Sequence, residues 1–188
     1  MIKKAMKPAI LGLAVSICFF TARSRESFPR FEEPILITSA GQSADVQIGN
    51  VLAKRAGLTA TLSKNATQKE LGDKKTLILV IGVSMKGLGA AGLDLDQEKS
   101  RVSALIDEAK NKGIALLCLH LGGEARRGDL SDRMIQTFLP EAHMVIVVKS
   151  GNTDGLFTRI CEDKNIPLCE VDRTADVQKP LEDIFSRD

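Results

Sequence analysis

Three almost unbroken apolar runs limit most strongly what this chain can fold into: "TLILVIGV" (76–83), "IALLCLHL" (114–121) and "HMVIVVK" (143–149). Each is rich in β-branched residues and leucine and lacks the polar alternation of a half-exposed strand, so each reads as a strand buried on both faces. Between them lie segments with apolar residues at helical spacing. "DVQIGNVLAKRAG" ends on Gly57, and "LDLDQEKSRVSALIDEAKNKG" opens on Asp94 three residues before Gln97, the layout of a capping box, and ends at Gly113. The alternation continues through "LSDRMIQTFL", "GLFTRICEDKN", "IPLCEVD" and "DVQKPLEDIF". Strands alternating with helices predict an α/β fold, a three-layer αβα doubly wound and mainly parallel sheet of about six strands.

The first strand is "PILITS", and the second, "LTATLSK", alternates with polar residues, which places it at an edge. That favours the flavodoxin-like order 2-1-3-4-5-6 over the Rossmann order 3-2-1-4-5-6, which would bury the second strand. A chain of 188 residues, 44% hydrophobic, supports one core and is too short for two typical domains. The domain is expected over residues 34–188, preceded by a mixed-charge tether at 23–33 and a targeting segment at 1–22.

That segment carries Lys3, Lys4 and Lys7 ahead of an apolar run from Pro8 to Ala22, the layout of a signal peptide, or else of an N-terminal membrane anchor. Lipidation at Cys18 is the weaker option, because Ile17 stands where a small residue is wanted. The expected location is therefore extracytoplasmic, in a bacterial periplasm. Without the first 22 residues the chain loses three lysines and no acids, and its formal charge falls from +2 to −1. No basic stripe remains, and the chain has no Trp or Tyr for base stacking, so nucleic acid is an unexpected partner. Nor does any spacing of Cys, His, Asp or Glu call for a metal, or any motif for a cofactor.

One motif needs a decision. "GLGAAG" (87–92) has the G-x-G-x-x-G spacing of a dinucleotide-binding turn. It follows the third strand instead of the first, however, and the next strand ends in His120 and Leu121, not in the acid that would hold a ribose hydroxyl. It reads as a flexible loop at the carboxyl ends of the strands.

Ligands of such sheets bind at those ends, and the polar residues of this chain gather in the same loops. The first loop offers Ser39, Gln42 and Ser43 at a helix start, where small hydroxyls and backbone N–H groups suit a phosphate or carboxylate. After the fourth strand come His120, Gly122, Gly123, Arg126 and Arg127, the arginines being planar forks for an anion. Lys149 and Asn152 follow the fifth strand. These residues together predict a binding site for a small anionic molecule, in a protein that serves a membrane transporter or sensor. Two other readings stand beside it. One is an exported hydrolase or phosphoryl-transfer enzyme with His120 as general acid or base, although no Gly-x-Ser-x-Gly elbow is present. The other is a non-catalytic interaction domain tethered at the membrane.

The stretches "PILITSAGQSADVQI", "HLGGEARRGDLSD" and "VVKSGNTDGLFTRICEDKNIPL" resemble an uncharacterised family of bacterial exported proteins, over Pro34 to Phe185. The resemblance implies export and a compact α/β domain, and it assigns no activity to any residue.

Overall fold

The computed structural model describes residues 28–186. The targeting segment, Cys18 and the first part of the tether lie outside the described residues. Six parallel strands form one sheet: β1 (Ile35–Ala40), β2 (Ala60–Leu62), β3 (Thr76–Ile81), β4 (Ala115–His120), β5 (Met144–Val148) and β6 (Leu168–Val171). Their order is β2-β1-β3-β4-β5-β6, as expected from the polar character of the second strand. β2 is an edge strand of three residues with no fully buried side chain.

Both faces of the sheet are covered. One carries α1 (Asp45–Arg55) and α6 (Gln178–Phe185), which bury Ile35, Ile37, Ile78 and Val80. The other carries α3 (Leu95–Asn111), α4 (Asp129–Phe138) and α5 (Leu156–Lys164) over Leu36, Leu77, Leu79 and Cys118. Alternate residues of one strand therefore enter opposite cores, which is why the runs read as continuously apolar. Each fully buried Leu or Ile contributes roughly 1.5–3 kcal/mol of transfer free energy.

α3 begins where the sequence indicates. Asp94 accepts from Gln97 N at 2.7 Å, and Gln97 Oε1 accepts from Asp94 N at 2.9 Å, closing the capping box. Arg30 and Phe31 lie against α6, and Arg30 donates to Asp183 O at 2.9 Å. Phe31 is buried with its ring 5.8 Å from that of Phe185, and its N–H donates to Ile184 O at 2.9 Å. Cys161 packs in one core and Cys169 against the other, so the sheet lies between them and they do not pair.

The flexible-loop reading of residues 87–92 is corrected. Met85–Ala91 form a short helix, α2. Ser84 caps it by accepting from Gly87 N at 3.1 Å, Leu88 anchors it in the core, and Gly92 ends it in a left-handed conformation. Two interior glycines weaken helix propensity enough to hide this element from a reading of local sequence.

Candidate functional site

In a sheet of this order the crevice for ligands opens between β1 and β3, where the direction of winding reverses. Here the chain itself closes that crevice. Gly82 N donates to Ala40 O at 2.9 Å and Ser84 N to Gly41 O at 2.8 Å, and Gln42 and Val83 form an antiparallel bridge. α2 then packs directly on the Gln42 carbonyl, so closely that a side chain on Gly87 would run into that oxygen. The first glycine of "GLGAAG" thus serves contact between two loops, not approach to a pyrophosphate.

Gln42 has a φ of 60°, an unusual conformation for a non-glycine residue, and a buried carboxylate holds it there. Glu98, on α3 and fully buried, accepts from Gly41 N at 2.8 Å and from Gln42 Nε2 at 3.1 Å. Arg101 grips the same carboxylate through Nε and Nη2, each at 2.8 Å, and donates onward to Ala66 O at 2.7 Å and Ser39 O at 2.5 Å. One ion pair therefore ties α3 to β1, to its following loop and to the β2–β3 connection. Sequence reading missed both residues. The available signal was that Glu98 lies in line with Val102, Leu105 and Ala109, a charge on an apolar stripe.

Apart from His120 and Gly123, the expected site residues separate into three groups. Ser43, Gly122 and Arg126 converge. A Cβ on Gly82 would lie 3.4 Å from Ser43 Oγ and 3.7 Å from Arg126 Cβ, and one on Gly122 would overlap the Arg126 stem and stand 2.6 Å from Asp45 Oδ2. Glycine at 122 leaves room for the Arg126 stem as it reaches Asp45, to which its Nε donates at 3.1 Å. Ser43 Oγ accepts from Asp45 N at 3.3 Å and starts α1.

The second group is either engaged by other residues or enclosed within the protein. Arg127 donates to both oxygens of Asp132, to both oxygens of Asp154 and to Gly151 O, and it lies over the Phe157 ring. That fork holds the Asp154 carboxyl well below the ordinary carboxylate range, helped by the Leu156 N–H, and raises Arg127 further. Asn152 accepts from Phe157 N at 2.9 Å and donates to Thr158 Oγ1 and Glu170 Oε1, each at 2.8 Å. Gln42 is held by Glu98. Ser39 is fully buried in β1, its Oγ without a hydrogen-bond partner. Lys149 forms the third group alone, exposed and paired with Asp172 at 2.6 Å.

His120 faces inward. Its Nδ1 lies 3.0 Å from Ile81 O and its Nε2 3.1 Å from Gly123 O, with the Phe157 ring 5.1 Å away and 1% of the residue exposed. A neutral imidazole donates from only one nitrogen, so one of these contacts is a hydrogen bond in that state. Burial pushes the imidazole pKa down, the two carbonyls oppose the shift, Arg127 adds to it and Asp45 counters it. The unfolded histidine binds its proton near pH 6.5, and the folded one only at lower pH. Between those values the unfolded chain holds more protons, so this residue's stabilisation is complete above about pH 6.5 and is lost as pH falls below it. An NMR titration of the His120 Cε1 proton is expected to give a midpoint below about 6.5; a midpoint at or above that value contradicts the assignment. The other histidine, His143, sits at the opposite end of the strands, where its Nδ1 accepts from Leu116 N at 2.9 Å.

Fold and site together define a three-layer, doubly wound α/β domain whose switch-point crevice is zipped by its own backbone, with an Arg–Asp pair at its edge. The chain belongs to the family described as Domain of unknown function (DUF6305), whose model matches residues 32–185, in line with its resemblance to an uncharacterised family. No curated protein sequence matches it. Among solved structures it is similar to AlinE4, an SGNH-hydrolase family esterase, at 13% identity over 85% of this chain and 84% of that one, with a TM-score of 0.32. It is also similar to a GDSL-like lipase from Bacteroides thetaiotaomicron (11%, 72% and 66%, TM-score 0.34) and the psychrotrophic esterase EstA from Pseudoalteromonas sp. (9%, 81% and 94%, TM-score 0.33). Likeness at this level carries no statement about activity.

Proposed function

We propose that the protein is an exported, non-catalytic domain that binds a small carboxylate or phosphate at its rim through the outer edge of Arg126, in the service of a membrane protein. The observation that carries this reading is the state of that guanidinium. Its Nε is committed to Asp45, while its two Nη groups have no hydrogen-bond partner among the described residues and the side chain is 35% exposed. A planar fork with one edge anchored and the other open is suited to bidentate contact with an oxyanion. Arg127 lacks such an edge, because Asp132, Asp154 and Gly151 O take its donors.

The enzyme reading fits less well. A hydroxyl nucleophile needs a base within hydrogen-bond reach, and neither histidine supplies one to Ser39 or Ser43. His120 has both nitrogens turned to backbone carbonyls, and His143 lies at the far end of the sheet.

A thermal-shift screen with acetate, citrate and inorganic phosphate tests the proposal. A ligand at about 100 times its Kd stabilises by about 2.7 kcal/mol, which for a domain of this size raises Tm by roughly 5–11 °C. At least one of these anions is expected to stabilise the protein, and Arg126→Ala to abolish the shift. No shift with any of them, or an equal shift in the variant, overturns the reading.

A further inference from the structure

Resting on that rim reading, we infer that the ligand is a zwitterion, a small molecule carrying a carboxylate and an ammonium group a few atoms apart, as an amino acid does. The reason is the partner of Arg126. Asp45 meets the arginine through Oδ2 alone, at 3.1 Å, and its Oδ1 accepts no hydrogen bond from the described residues. Oδ1 is not sealed off either. Among the described residues the sealed side-chain oxygens without a partner are Ser39 Oγ and Asn50 Oδ1, so Asp45 Oδ1, unpaired and not one of them, keeps some contact with solvent. The rim therefore presents side by side the exposed Nη donors of Arg126 and one unpaired carboxylate oxygen of Asp45, a residue otherwise 5% exposed.

Charge decides what fits there. The guanidinium and the carboxylate are in contact, so a simple anion held by the Nη edge is also repelled by the neighbouring carboxylate and binds more weakly than a ligand that satisfies both groups. A simple cation meets the same opposition with the signs reversed. A zwitterion places its carboxylate on the Nη edge and its ammonium on Oδ1, and both interactions are then favourable. Glycine at 122 leaves room for both side chains, because a Cβ there would overlap the Arg126 stem and stand 2.6 Å from Asp45 Oδ2.

The test is an amide and guanidinium NMR titration of the full chain with glycine, acetate and methylammonium at constant ionic strength, following residues 44–46 and Arg126 Nε. Glycine is expected to bind at least about tenfold more tightly than either single-charge probe, given opposed charges at the pair. Asp45→Asn is expected to remove that advantage while acetate still binds, and Arg126→Ala to abolish binding of both carboxylates. The comparison of the three probes on the unaltered protein decides the question even if a variant fails to fold. Acetate binding as tightly as glycine overturns the zwitterion and leaves the anion reading standing. Signals at Arg126 and Asp45 that none of the three probes moves overturn both.

Discussion

Replacing Arg101 with methionine is expected to destabilise the protein by about 3–5 kcal/mol, because it leaves the charge of Glu98 buried without its counterion. Glu98 is fully buried and the Arg101 side chain only 11% exposed, so water cannot take over the lost contacts without local opening. The same substitution strips donors from Ala66 O and Ser39 O, two carbonyls that otherwise have the guanidinium as partner. For a domain of this size such a loss lowers Tm by roughly 6–20 °C. The double variant Glu98→Gln, Arg101→Met removes both charges and keeps an oxygen for Gly41 N, and it is expected to recover more than half of the loss. Urea denaturation reads both values from the midpoint, provided the slope is unchanged. A cost below about 1 kcal/mol for Arg101→Met is the size of an exposed pair and contradicts the role given to this one.

Two alanine substitutions within "GLGAAG" are expected to have opposite signs. Gly87→Ala gains helix propensity, but its methyl group meets the Gln42 carbonyl, part of a backbone that Glu98 holds in place. The overlap is expected to cost about 1–3 kcal/mol and to disturb the turn that carries Ser43. Gly89→Ala, two residues on in the same helix, meets nothing within 4 Å and is expected to stabilise by about 0.5–1 kcal/mol. Thermal unfolding of the two variants side by side gives the comparison. Equal effects at both positions contradict the packing role of Gly87.

These two sites also mark where local sequence stops being informative. The central strands were legible because burial on both faces leaves no polar position, as in Leu77 to Ile81. Their order was legible because Thr59, Thr61 and Ser63 in and around β2 do not suit an interior strand. The Asp94–Gln97 cap was legible because both partners lie within one turn. What was hidden depends on partners far apart in the chain. Arg126 meets Asp45 across 81 residues, and Arg101 meets Ala66 across 35. The sequence displayed Arg126 and Arg127 as equivalent cations in one loop. Three-dimensional pairing makes one a staple between two acids and leaves the other with an open edge. α2 was hidden for a related reason, since its glycines oppose the helix locally and one of them is needed by a contact with a distant loop.

The most direct test of the rim site is a crystal structure of the protein soaked in 3-bromobenzoate, a carboxylate whose unreactive aryl bromine can be located by anomalous scattering. The prediction is a bromine peak beside the rim with the carboxylate on the two Nη groups of Arg126, while Nε remains on Asp45. 3-Bromobenzoate bound elsewhere, with the outer edge of Arg126 left to solvent, would contradict it.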